Sequence, residues 1–200
     1  MKYIYIFLIA LIAVSCGQDK RPIVGETAFQ KMMNSDFKDA TKSPLKDKDR
    51  KNFRGLDFFS FDSTYVVEAN LKRTPDETPF KMKTTTSRLP NYVKYGEITF
   101  ELKGEWYQLD VFQNLDLIEE EGYEDYLFLP FLDDTNGEDS YGGGRYVDTR
   151  QPEGSTMIID FNTAYNPLCV YNEKYSCPIV PRQNYVSTRI EAGVKVFDKH

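Results

Sequence analysis

Two hundred residues, 40% of them hydrophobic, suffice for one domain with its own core, without metals or many disulfides. The net charge is −6, or −7 once Lys2 leaves with a leader, and no basic stripe is present, which argues against nucleic acid as a partner. The single histidine is the last residue, His200, which removes the internal imidazole that Ser-His-Asp and Cys-His nucleophiles and histidine-rich zinc sites need.

Residues 1–15 read as a secretory leader, with Lys2 followed by an apolar run over 4–14. That run is about half the ~20 residues a spanning helix requires. The leader ends in Ala13-Val14-Ser15-Cys16, which resembles a bacterial lipobox. The resemblance implies that Cys16 becomes the lipidated N-terminus and attaches the chain to the membrane. Gly17 does not resemble the aspartate signal for inner-membrane retention, so the expected location is the cell envelope at the outer membrane. Residues 16–25 form a polar tether, and residues 26–200 a single β-rich domain.

Fourteen tyrosines and fourteen phenylalanines against one tryptophan suggest an aromatic, β-leaning core. Phe29, Met32, Met33, Phe37 and Ala40 recur at helical spacing, so a helix with one apolar face is expected there. Ser43 before Pro44 resembles a cap and a first helical position, predicting a second, solvated helix to about Asn52. Asp62-Ser63-Thr64 is similar to an O-glycosylation signal of exported proteins, but a polar turn before a strand is the favoured reading.

Strands follow. Tyr65, Val67, Ala69 and Leu71 share one face of a segment over 65–71. Alternation continues over 80–86, and most cleanly at Ile98, Phe100 and Leu102. The turn Lys103-Gly104-Glu105 then leads into 106–112, a hairpin partner with Tyr107, Leu109 and Val111 inward. The near-continuous apolar run 126–132 is expected of a strand covered on both faces. Further strands are expected over 156–161 and 185–190.

Recognition chemistry concentrates in 131–166. Asp133, Asp134, Glu138 and Asp139 could supply oxygens to calcium, but Leu132 and Gly143 occupy the positions where an EF-hand needs acids, so no metal is assigned. Ser140, Tyr141, Gly142, Gly143 and Gly144 lead into Arg145. Backbone N–H groups in such a turn can form an anion-binding concavity, and Arg145 could add a bidentate contact. Asp160, Asn162, Asn166 and Asn184 would orient the ligand. The alternative is a tight turn with Arg145 paired to Asp160 or Asp133 inside the fold. Cys169 and Cys177 are the remaining cysteines, and an even pair in an exported chain suggests a disulfide, with two free thiols as the other reading.

Several of these runs carry a family resemblance. F-L-D-D-T-N-G-E-D-S-Y-G-G-G-R-Y, D-F-N-T-A-Y-N-P-L-C, C-P-I-V-P-R-Q-N and I-E-A-G resemble the bacterial family catalogued as domain of unknown function 1684. Upstream, S-P-L at 43–45, F-R-G-L at 53–56 and G-E-I-T-F at 96–100 are similar too, so the resemblance covers most of the chain after the tether. It singles out Asp134, Thr135, Gly137, Tyr141, Gly142, Gly144, Arg145, Tyr146, Asp160, Asn162, Asn166, Cys169, Cys177 and Asn184, and it implies no activity or cofactor. Leu168 departs from the pattern, where a second proline is expected.

The expected fold is mainly β, an antiparallel barrel or curved sandwich with two short N-terminal helices packed on it. The expected function is a non-catalytic envelope lipoprotein that binds a small polar or anionic ligand or a partner. One alternative is a carboxylate-dependent hydrolase of envelope glycans using Asp134 and Asp160, spaced roughly 5–10 Å. The other is a purely structural lipoprotein.

Overall fold

The computed structural model describes residues 25–197, so the leader, Cys16 and most of the tether lie outside the described residues. The sheet is nucleated by its clearest alternation. Strand β3 (Asn91–Leu102) turns at Lys103 and Gly104 into β4 (Glu105–Asn114), in full antiparallel register from Leu102↔Glu105 to Tyr92↔Asn114. Both turn residues have positive φ, 54° and 84°, which matches the twist a two-residue hairpin requires. A bulge between Lys94 and Gly96 bends β3. A Cβ on Gly96 would meet Lys72 O at 2.6 Å, so the bend brings β1 (Val66–Arg73) close.

With β5 (Tyr126–Asp133), β6 (Arg145–Arg150) and β7 (Thr156–Asp160), the sheet runs β6-β5-β4-β3-β1-β7 and curls into an antiparallel half-barrel. Two short strands add to it: β2 (Phe80–Lys81) on β3, and β8 (Tyr185–Val186), which pairs with β5 in parallel. The concave side buries Val67, Ala69, Ile98, Phe100, Leu109, Val111, Leu127, Leu129, Phe131 and Ile159, as their period-2 spacing dictates. Opposite faces of β1 and β3 carry exposed Glu68 and Glu101, and Trp106 on β4 is 66% exposed. The outer side of β5 is covered as well, because Phe128 packs with Met82, Tyr92, Phe112, Tyr146 and Val180. That double covering explains the unbroken apolar run.

Helix α1 (Ala28–Lys38) opens with a capping box between Thr27 and Gln30. Its inward face is Gln30, Asn34 and Phe37, whereas Met32 is 52% exposed and Ala40 is also exposed. The expected apolar stripe is displaced because two amides face inward and bond to the passing backbone: Asn34 Oδ1 accepts from Leu56 N at 2.8 Å, and Gln30 Nε2 donates to Phe59 O at 3.4 Å. Helix α2 (Asp47–Asn52) starts three residues later than Ser43-Pro44 implies. Ser43 instead closes the preceding turn, donating to Phe37 O at 2.6 Å. The helical region builds a second core of Phe37, Leu45, Leu56, Phe58, Tyr171 and Val194, which joins it to the C-terminal segment.

Two expected elements are shorter than their sequence pattern, and a third is shifted by one residue at its start. The segment 80–86 pairs only at Phe80–Lys81, and Thr84 then bridges to Pro178. The segment 185–190 forms a strand only at Tyr185–Val186, and beyond it the backbone carbonyls of Ile190 and Ala192 turn to Arg145. Tyr65 ends a 3₁₀ turn, Ser63–Tyr65, whose cap is Asp62 Oδ1 accepting from Thr64 N at 2.8 Å. Asp62-Ser63-Thr64 is thus an exposed polar turn before β1.

Candidate functional site

The candidate stretch begins where β5 ends. Asp133 closes β5 and Arg145 opens β6, and the loop between them is drawn tight. Asn136 Oδ1 accepts from Asp133 N at 2.8 Å, and Thr135 and Ser140 share a hydroxyl bond at 2.7 Å. Gly144 ends the loop at φ +88°, where a Cβ would meet Phe131 O at 2.6 Å, so no side chain fits. Gly142 and Gly143 stay on the surface, with the half-buried ring of Tyr141 folded over Gly143.

Arg145 points inward. Its side chain and that of Asp133 have no exposed surface, and Nη2 meets Asp133 Oδ2 at 2.8 Å. Nη2 also donates to Ile190 O at 2.7 Å, and Nη1 donates to Ala192 O. The other Asp133 oxygen accepts from the backbone N–H of Thr135 at 2.8 Å and of Ile190 at 3.2 Å. Burial pulls the Arg145 pKa below its ordinary value, and the Asp133 carboxylate opposes that shift. This corrects the anion-receiving role expected of Arg145. The guanidinium ties the 190–192 backbone to the barrel, with Asp133 as its counter-charge.

The orienting residues also donate inward. Asn184 is fully buried between β4 and β5, whose only register pair is Phe112↔Phe128. Its Nδ2 donates to Asp110 O and Pro130 O, both at 2.7 Å, and its Oδ1 accepts from Asp110 N at 2.9 Å. The amide thereby substitutes for a peptide unit where the two strands diverge. Pro130 is tolerated in β5 because its missing N–H faces that same gap. Asn162 makes the corresponding pair with the Asp62 backbone, accepting at 3.0 Å and donating at 2.9 Å. Asn166 Nδ2 donates to Lys195 O at 2.8 Å. Asp160 caps a 3₁₀ turn by accepting from Asn162 N at 2.9 Å. Asp134 is exposed and accepts from the Tyr185 hydroxyl, so the two carboxylates of the hydrolase alternative share no partner. Of the remaining loop acids, Glu138 and Asp139 both pair with Arg189.

Cys169 and Cys177 lie side by side as free thiols. The buried Cys177 sulfur instead accepts from Cys169 N at 3.1 Å, and burial pushes its thiol up to about 12, so it stays protonated. An open groove of about 540 Å³ lined by Phe59, Phe61, Asp62, Tyr65 and Glu191 lies beside the Arg145 network, with the Phe59 ring 5.8 Å from the guanidinium carbon.

One constellation escapes the sequence reading. Asp148, on the outer face of β6, accepts from the hydroxyls of Tyr126 at 2.7 Å and Tyr165 at 2.6 Å, both at Oδ1. Phe128 stands opposite it in the β5–β6 register. The ring of Tyr146 packs at 4.7 Å on Phe128 and at 5.7 Å on Tyr165. The carboxylate is open to solvent on one side, yet the protein crowded around it raises its pKa. Burial and the nearby carboxylate push both phenols above their ordinary range, so they remain donors. The available signal is the alternation Tyr146, Asp148, Arg150, a face that should be apolar if it covered β5 throughout.

The chain is similar to an archaeal protein of known structure. The solution structure of an uncharacterized protein from gene locus rrnAC0354 of Haloarcula marismortui is 31% identical, covers 86% of this chain and 92% of its own, and superposes with a TM-score of 0.66. Among curated proteins none matches. The sequence profile described as "Protein of unknown function (DUF1684)" matches residues 51–195, which include the main core, the Arg145 network and the tyrosine cluster, and the chain belongs to that family.

Proposed function

We propose that this protein is a lipid-anchored envelope domain, attached through Cys16 at the outer membrane, that binds a small polar ligand or a partner and performs no chemistry of its own. The observation that carries this reading is the direction of the polar groups in 131–166. Arg145, Asn162, Asn166 and Asn184 direct their donors at neighbouring backbone, and Asp134 and Asp160 are engaged separately. Side chains committed in this way support the barrel rather than a reaction, and recognition falls to its surface. The polar-ligand expectation stands, whereas the anionic one loses its carrier with the enclosure of Arg145. In an oxidising envelope the adjacent thiols of Cys169 and Cys177 would close to a disulfide.

The anchor is tested by expressing the full chain in a Gram-negative host fed an alkyne-bearing fatty acid. Wild type should carry the label and partition with membranes, and Cys16→Ser should lose both. Equal labelling of the two chains would overturn the anchor.

A further inference from the structure

The tyrosine cluster around Asp148 has the composition of a receptor for an organic cation. Its carboxylate is held at one oxygen: Tyr126 and Tyr165 both donate to Oδ1, and Asp148 itself is an exposed residue. Among the described residues no cation pairs with it. Arg150, two residues along the same face, is turned away to Asp125 at 2.6 Å and to Gly122 O at 2.7 Å. Arg88, close to Tyr92, donates to Ser176 O at 2.9 Å. Beneath the carboxylate the rings of Tyr92, Phe128, Tyr146 and Tyr165 are in contact at 5.9, 4.7 and 5.7 Å in turn, the first three buried, so the rings that flank it at the surface are the half-buried Tyr126 and Tyr165.

A carboxylate without an ion-pair partner repels anions. One carboxylate and neutral phenols also fall short of the six to eight oxygens a hard metal ion takes. A ligand that is both positively charged and apolar gains twice, from the carboxylate and from the flanking tyrosine rings. We propose that Asp148, Tyr126 and Tyr165 form a binding site for an alkylammonium group. The site deepens the binding-domain reading above and rests on it, but does not depend on the lipid anchor.

The test is an amide-shift titration of the ¹⁵N-labelled full chain with choline chloride at constant ionic strength. 3,3-Dimethylbutan-1-ol, the uncharged isostere of choline, is run in parallel. The expected result is saturable movement of Tyr146, Asp148 and Tyr165 with choline, at least about tenfold weaker with the alcohol. Asp148→Asn keeps an acceptor for both phenols, and should bring choline down to the level of the alcohol. The site is overturned if wild type responds alike to the two compounds, if choline gives no saturable shift, or if glucose moves the same amides more strongly than choline. The first comparison needs no variant, so a folding defect in Asp148→Asn does not blunt it. Loss of the titration while Cys16 still takes up lipid removes the cation site alone. An intact titration in protein that takes up no lipid at Cys16 removes the anchor alone.

Discussion

At the scale of single residues, the molecule reuses one device. Amide side chains act as substitute peptide units wherever chain and sheet part company: Asn34 at Leu56, Asn162 at Asp62, Asn166 at Lys195 and Asn184 between β4 and β5. Asp148 is different, being a carboxylate kept at a raised pKa by the protein around it. Such a group stabilises the fold most while neutral in both states, below its unfolded value of 3.8, and that contribution is lost as pH rises through the folded value. In the absence of ligand, Asp148→Asn should therefore melt above wild type at pH 7, and the gap should close as the pH falls below the ordinary carboxylate value. A thermal melt series checks this, and a gap that widens in acid would contradict it. The inward faces of β1, β3 and β4 were legible in the sequence because period-2 alternation is local. Asp148 was not legible, because an acid on a strand reads as a solvated residue until Tyr165, from beyond β7, arrives beside it. Arg145 was ambiguous for the same reason: its direction depends on carbonyls some forty-five residues downstream, at Ile190 and Ala192.

At the scale of elements, the sequence conveys types better than extents. The β3–β4 hairpin was legible in full, since alternation and turn chemistry agree. The strands over 80–86 and 185–190 were overread, because pairing with the main sheet stops after Lys81 and Val186. Past Lys81 a short backbone bridge to 177–179 takes over, with Thr85 N donating to Cys177 O at 2.9 Å and Ile179 N to Lys83 O at 2.8 Å. Hydroxyl bonds reinforce it, Thr84 Oγ1 donating to Arg88 O at 2.6 Å and Cys177 N to Thr85 Oγ1 at 3.1 Å. Oxidation of Cys169 and Cys177 would close a loop of roughly nine residues and stabilise the fold by about 2.6 kcal/mol. Protein exported to an oxidising compartment should weigh about two mass units less than its reduced form and unfold at higher denaturant. Full alkylation of both thiols without prior reduction would contradict this.

At the scale of the whole molecule, a half-barrel leaves its ends and seam to be closed by other means, and the 131–166 stretch supplies the closure. β5 and β6 deliver Asp133 and Arg145 to one buried pair, and that pair holds the C-terminal segment against the open end. The second core then joins helix α1 and the residues flanking α2, Leu45 and Phe53, to the same segment through Phe58 and Val194. The archaeal relative superposes over most of its length, as expected if the closed half-barrel is what the shared residues specify. The most direct test of this account is urea unfolding of the full chain with Arg145→Ala, Asp133→Asn and the double variant. Each single change should cost about 3–5 kcal/mol, because it strands a buried charge or its acceptors, and the double variant should lose far less than the sum of the two. An Arg145→Ala chain as stable as wild type would contradict the account, and would return Arg145 to the surface as a residue free to take a ligand.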